Sequence, residues 1–235
     1  MRNNCSKKFL SGAVACFIRL LLTALAVLTL SGMVQAQEKI QDSNEHTIFS
    51  TIPSPTTPIP PPQGSIAFLV GNATGTQGYV CLPTATGASW TVNNARPEAT
   101  LFTHIFGEAV QIINHFLSPV VNPNDFGPKP SRFGDATWQS SFDSSRVWAQ
   151  KQKALTAGTD ASCPNGGSID CLLLQVIGSD EGPAGGRSLT KTTFIQRLNT
   201  NGGSAPATGC LVSGDVGKQV LVPYTADYYF FRNEQ

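Results

Sequence analysis

The chain contains three histidines. His46 stands in a polar lead-in, while His104 and His115 flank a glycine turn in HIFGEAVQIINH. Folded as a hairpin, that segment could bring the two imidazoles together. A metal would still need a third ligand such as Asp125, Asp135 or Asp143. His115 could instead act as a base with Asp143 or Asp227 as its partner. Glu108, Asp135, Asp143, Asp180, Glu181 and Asp227 supply carboxylates for glycoside hydrolysis. Asp180-Glu181 lies in the Gly-rich run GSDEGPAGGRS, where acids are ordinarily solvated. No Gly-x-Ser-x-Gly elbow, no Gly-Lys-[Ser/Thr] phosphate loop and no Gly-x-Gly-x-x-Gly strand–helix turn occurs. Neither a resident metal nor a cofactor is expected, and the balance leans away from catalysis.

Aromatic residues point to binding. Sugar rings stack on aromatic faces while polar rims take their hydroxyls. Trp90, Trp138 and Tyr228 could line such a site, with His115, Asp143 and Asp227 as its polar members. Core packing competes for the same side chains. In YTADYYFF a period of two sends Tyr228 and Phe230 to one face and Tyr229 and Phe231 to the other.

The amino-terminal residues have the layout of an export signal. Lys7 and Lys8 precede the apolar run Leu20–Leu30, and Val34-Gln35-Ala36 offers a small-x-small cleavage pattern. An uncleaved anchor over Phe9–Val34, interrupted by Arg19, is the competing reading. Cleavage near Ala36 would leave a secreted or periplasmic protein with no membrane contact. It would also remove four of the 16 basic residues, leaving 12 against 15 acidic ones, a charge of −3. That sign excludes nucleic acid as the main partner.

Four cysteines follow the leader: Cys81, Cys163, Cys171 and Cys210. An even count in an exported chain predicts two disulfides, for which three pairings exist. Cys163–Cys171 is preferred because it closes the short loop SCPNGGSIDC, which leaves Cys81–Cys210.

The elements that must position these residues are short runs punctuated by Gly, Pro and Asn. They include Ser65–Gly71, Thr76–Leu82, Ser89–Asn93, Glu108–Phe116, Leu172–Gly178, Thr192–Leu198, Lys218–Pro223 and Thr225–Phe231. Ser145–Leu155 fits a short helix or a strand equally well. Residues 51–63 carry six prolines, and Ser118–Gly134 carries four and reads as a long surface loop. The expected fold is all-β, a sandwich or barrel of antiparallel sheets with long Gly/Pro-rich loops and at most one or two short helices. The organisation is a signal over 1–36, a polar then Pro-rich linker over 37–63, and one β domain over 64–235.

The segments GTQGYVC (75–81), SWTV (89–92), His115-Phe116, ATW (136–138), FIQRLNTNGGSAPATGC (194–210) and VPYTADYYFF (222–231) resemble the domain-of-unknown-function family 3455 over roughly residues 57–231. The resemblance implies an exported bacterial or fungal protein with cysteines at the positions of Cys81 and Cys210. It implies no established activity and no catalytic residues. Some fungal members carry the label malate dehydrogenase, which nothing in this sequence supports. In that family an acid-Gly-Ser turn follows the Trp; here Asp143-Ser144-Ser145 stands in its place. The expected function is a non-catalytic exported domain that binds a glycan or another envelope component. The alternatives are a hydrolase centred on His115 and a structural matrix protein.

Overall fold

A computed structural model describes residues 52–118 and 135–234. The leader, the polar lead-in with His46, and the Pro-rich loop with Asp125 lie outside these residues. The described chain is all-β and antiparallel. Its strands are β1 (Ser65–Thr84), β2 (Gly87–Ile105), β3 (Glu108–Ser118), β4 (Asp135–Ser140), β5 (Arg146–Leu155), β6 (Cys171–Asp180), β7 (Phe194–Gly202) and β8 (Gln219–Asn233). Each pairs with the next, and β8 pairs back onto β1, so the sheet is a closed barrel. One 3-10 turn, Ser213–Asp215, precedes β8.

Several runs that look separate in the sequence are one strand. Ser65–Gly71 and Thr76–Leu82 merge into β1, and Lys218–Pro223 joins Thr225–Phe231 in β8. The reason is visible at Gly75. A Cβ there would lie 2.1 Å from the Glu98 carbonyl oxygen. Glycine marks a close approach of two strands here, not a turn. Shifts of register between Ala67 and Leu69, and between Gln77 and Tyr79, supply the local bends that closure needs. Ser145–Leu155 resolves as strand β5, in which Ala149 and Lys151 pair with Val176 and Leu174 of β6.

Alternation divides each strand into an inner and an outer set. The partner register carries the inner set around the barrel, for example Leu101↔Ile113, His115↔Trp138, Leu172↔Arg197 and Arg197↔Tyr228. One wall is built small, with Gly71, Ala73 and Gly75 on β1 and Ala99 on β2. Tyr228 stands directly beside Gly71 on the neighbouring strand β8, and Trp138 stands across the barrel on β4. This contrast lets large rings fit inside eight strands.

The outer face of β6, β7 and β8 is also covered. Ile59 packs with Leu173, Leu198 and the Cys163–Cys171 pair, and Tyr229 joins from β8. Gln196 Nε2 donates to the Ile59 carbonyl at 2.7 Å, and Ser162 Oγ to Thr57 Oγ1 at 2.9 Å. The proline-rich segment from Ile52 onward therefore lies along the barrel wall. Both faces of YTADYYFF are occupied: Phe230 points inward and Phe231 outward, and both are buried.

Two disulfides are present, Cys81–Cys210 and Cys163–Cys171, spanning 129 and 8 residues. Such pairs fit an oxidising compartment. Among the described residues no helix is long and apolar enough to cross a membrane.

Candidate ligand cavity

The two ends of the barrel are built differently. At the end carrying the β2–β3, β4–β5 and β6–β7 connections, the interior is filled by Leu101, Ile113, Val147, Ile195 and Phe230, all at most 1% exposed. At the other end the interior opens into a cavity of about 810 Å³. Trp138, His115 and Tyr228 line it together with Leu172 and Leu174 of β6, and Asp135, Lys151 and Asp170 also contribute.

His115 stacks on Trp138 with ring centroids 4.1 Å apart and planes 10° from parallel. Tyr228 leans against both rings at 5.8 and 6.1 Å. The Tyr228 hydroxyl sits 3.1 Å from that of Tyr224. His115 Nδ1 lies 2.9 Å from the Thr137 carbonyl oxygen, so Nδ1–H is the donor and Nε2 keeps the lone pair. Burial pushes the imidazole pKa down to about 4, against the Thr137 hydrogen bond and assisted by the Arg197 charge. At neutral pH the ring is uncharged. Among the described residues no carboxylate is hydrogen-bonded to it.

Arg197 reaches the cavity from β7. The sequence marks it only as a charge on the same strand face as Ile195. Its Nη2 donates to the Asp170 carbonyl at 2.7 Å, and its guanidinium lies 5.9 Å from the Tyr224 ring centroid. Its Nε is buried without an acceptor among the described residues, as is Trp138 Nε1. The surrounding hydroxyls respond to this enclosure: burial raises the pKa of Tyr224 and, more moderately, of Tyr79. The Tyr79 hydroxyl donates to the Gly203 carbonyl at 2.7 Å.

The remaining sequence candidates lie elsewhere. The His104/His115 segment does form a hairpin, but His104 pairs with Ala109 and His115 with Ala99, so the imidazoles sit at opposite ends of it. No cluster of three potential metal ligands exists among the described residues. Asp227 faces outward, accepting from Asn72 Nδ2 at 2.6 Å and Asn199 Nδ2 at 2.7 Å. Trp90 packs beside Cys81 and Cys210 at the β1–β2 hairpin and donates to the Thr208 carbonyl.

Asp143 belongs to the filled end. Its carboxylate accepts from Ser145 N and Oγ at 3.0 and 2.7 Å and from Ser188 N at 2.8 Å. Partial burial opposes ionisation, but these bonds outweigh it and hold the carboxyl far below its usual range. The group ties the β4–β5 turn to the β6–β7 loop. Ser144 between them has φ 61°, a left-handed conformation that glycine adopts without strain.

This is an eight-stranded antiparallel barrel with one filled and one hollow end. Eight strands enclose just enough room for side chains or for one small ligand. The chain matches the family described as "Protein of unknown function (DUF3455)" over residues 61–232, most of its length, and it belongs to that family. No curated protein and no solved structure matches it.

Proposed function

We propose that this exported domain is a non-catalytic binder that takes one small ligand of the cell envelope or extracellular space into its barrel. Cleavage near Ala36 releases it as a secreted or periplasmic protein. The observation that carries the reading is the hollow end. A folded interior is ordinarily close-packed, yet here about 810 Å³ is left open beneath a floor of three aromatic rings. A few convergent polar groups above an apolar floor is the usual composition of a ligand site. The neutral state of His115, its Nδ1–H bonded to a backbone carbonyl, and the lack of a hydrogen-bonded carboxylate among the described residues support binding over acid–base chemistry.

The test is thermal unfolding of the native protein against envelope oligosaccharides and small amphiphiles. A ligand at 100 times its Kd should stabilise the fold by about 2.7 kcal/mol. Leu174→Trp, which fills the cavity from β6, should abolish that gain. Stabilisation by no compound, or equal stabilisation of the Leu174→Trp variant, sinks the reading.

A further inference from the structure

The interior of the hollow end is not electrically neutral with depth. Its acids stand high: Asp170 is exposed on the β5–β6 loop, and Asp135 is half-buried at the start of β4. Lys151 is exposed on β5, paired with Leu174. Deeper in, Arg197 stands among Tyr224, Tyr228 and Leu172. Among the described residues no carboxylate makes an ion pair with it. The hydrogen bonds it makes go to neutral groups, the Asp170 carbonyl and the Tyr224 hydroxyl. Its charge reaches far enough to bear on His115, Tyr79 and Tyr224.

A half-buried guanidinium with no anion beside it among the described residues is unusual, because desolvating a charge is unfavourable unless a partner compensates. Replacing Arg197 by an apolar residue would relieve that penalty and extend the inner apolar face that Ile195 begins. The position therefore reads as reserved for a partner that arrives from outside. A planar guanidinium suits a carboxylate or sulfonate, which it can engage through two parallel N–H donors. Beside it, across one strand, lie Leu172 and Leu174, and the floor is aromatic.

Resting on the cavity reading above, we infer that the ligand is an anionic amphiphile: a small organic monoacid whose acid group meets Arg197. Its apolar or aromatic body lies over Leu172, Leu174, Trp138 and Tyr228. Asp135 and Asp170 near the mouth disfavour a second negative charge. An uncharged sugar would leave the guanidinium uncompensated.

Two dyes that share one aromatic body separate the acid from the rest. 8-Anilinonaphthalene-1-sulfonate carries the anion, and N-phenyl-1-naphthylamine lacks it. Fluorescence titration of the native protein should give at least about tenfold tighter binding of the sulfonate, equivalent to about 1.4 kcal/mol. Arg197→Gln should bring its affinity down to that of the neutral dye and leave the neutral dye unchanged. If that variant fails to fold, Arg197→Lys keeps the charge without the fork and should narrow the preference several-fold. Leu174→Trp should block both dyes.

Equal affinity for the two dyes, or a preference that survives the Arg197 substitutions or Leu174→Trp, overturns the inference. If neither dye binds but oligosaccharides still stabilise the protein, the anionic ligand is wrong while the cavity reading stands. If no compound of either class binds, the cavity reading falls and the inference falls with it.

Discussion

The filled and hollow ends of the barrel are made from the same eight strands, yet their interiors are packed to different extents. At the filled end, the Asp143 carboxylate collects three hydrogen bonds from Ser145 and Ser188, and Ser188 Oγ donates onward to Ser140 Oγ. Buried donors without an acceptor among the described residues occur toward both ends, Trp138 Nε1 and Arg197 Nε at the hollow one and Arg146 Nε and Trp148 Nε1 on β5 at the filled one. Buried donors are nearly always satisfied in native proteins. What separates the ends is packing: side chains fill one, and about 810 Å³ stays open in the other.

That contrast can be broken by mutation. The largest effect is expected at the filled end. Phe230→Ala should destabilise by about 3–5 kcal/mol, because its packed neighbours cannot collapse into the gap. Leu172→Ala, facing space that is already open, should cost less than about 1.5 kcal/mol, well below the usual range for buried leucine. Urea unfolding of both variants measures the difference, and equal losses would erase the distinction between the ends.

The second effect is pH dependence. The folded pKa of His115 is depressed to about 4, against an ordinary value of 6.5. Between those values the unfolded chain binds the proton and the folded chain does not, so stability falls as pH falls. The loss should reach about 3 kcal/mol from pH 7 to pH 4. Acid titration of carboxylates, Asp143 among them, adds to it in any variant. The measurement is therefore the difference between the native protein and His115→Phe, which should lose that share of the acid sensitivity.

A smaller loss, about 2 kcal/mol, is expected for Asp143→Ala, which removes an ionised acceptor from three donors. It should leave dye binding at the far end unchanged. The smallest effect has the opposite sign. Ser144→Gly relieves a left-handed backbone conformation and should raise stability by up to about 1 kcal/mol in the same unfolding assay.

Much of the fold is legible in the residues. Alternation in Thr192–Leu198 places Ile195 and Arg197 on one face and Phe194 and Gln196 on the other, as the barrel does. The two disulfides follow from the even count of the four later cysteines and the short loop that Cys163 and Cys171 close. Strand length is not legible, because Gly71 and Gly75 look like punctuation locally. Their purpose, to let β2 come close, depends on distant residues, Leu101 for Gly71 and Glu98 and Ala99 for Gly75. The site is legible in part. Trp138, His115 and Tyr228 stand out by type, and the fold brings them together. Asp143 and Asp227 look equally functional, since a carboxylate's purpose depends on what surrounds it, and here that is a turn and a pair of asparagines. Arg197 passes unnoticed because a single charge in an alternating strand ordinarily faces water. Only closure of the sheet turns its face inward.

A sheet that closes on itself makes neighbours of the two strands farthest apart along the chain. β1 and β8 pair from Ser65↔Asn233 to Val80↔Gln219. That seam can zip only after everything between has been gathered, and such non-local pairing is slow. Cys81–Cys210 sits beside it, where the Cys81 amide also donates to the Lys218 carbonyl. Once oxidised, the chain carries a covalent bond at the near end of that seam, between residues 129 apart. Oxidation early in maturation would shorten the search that shuts the barrel, so the timing of thiol chemistry would govern how fast this protein matures.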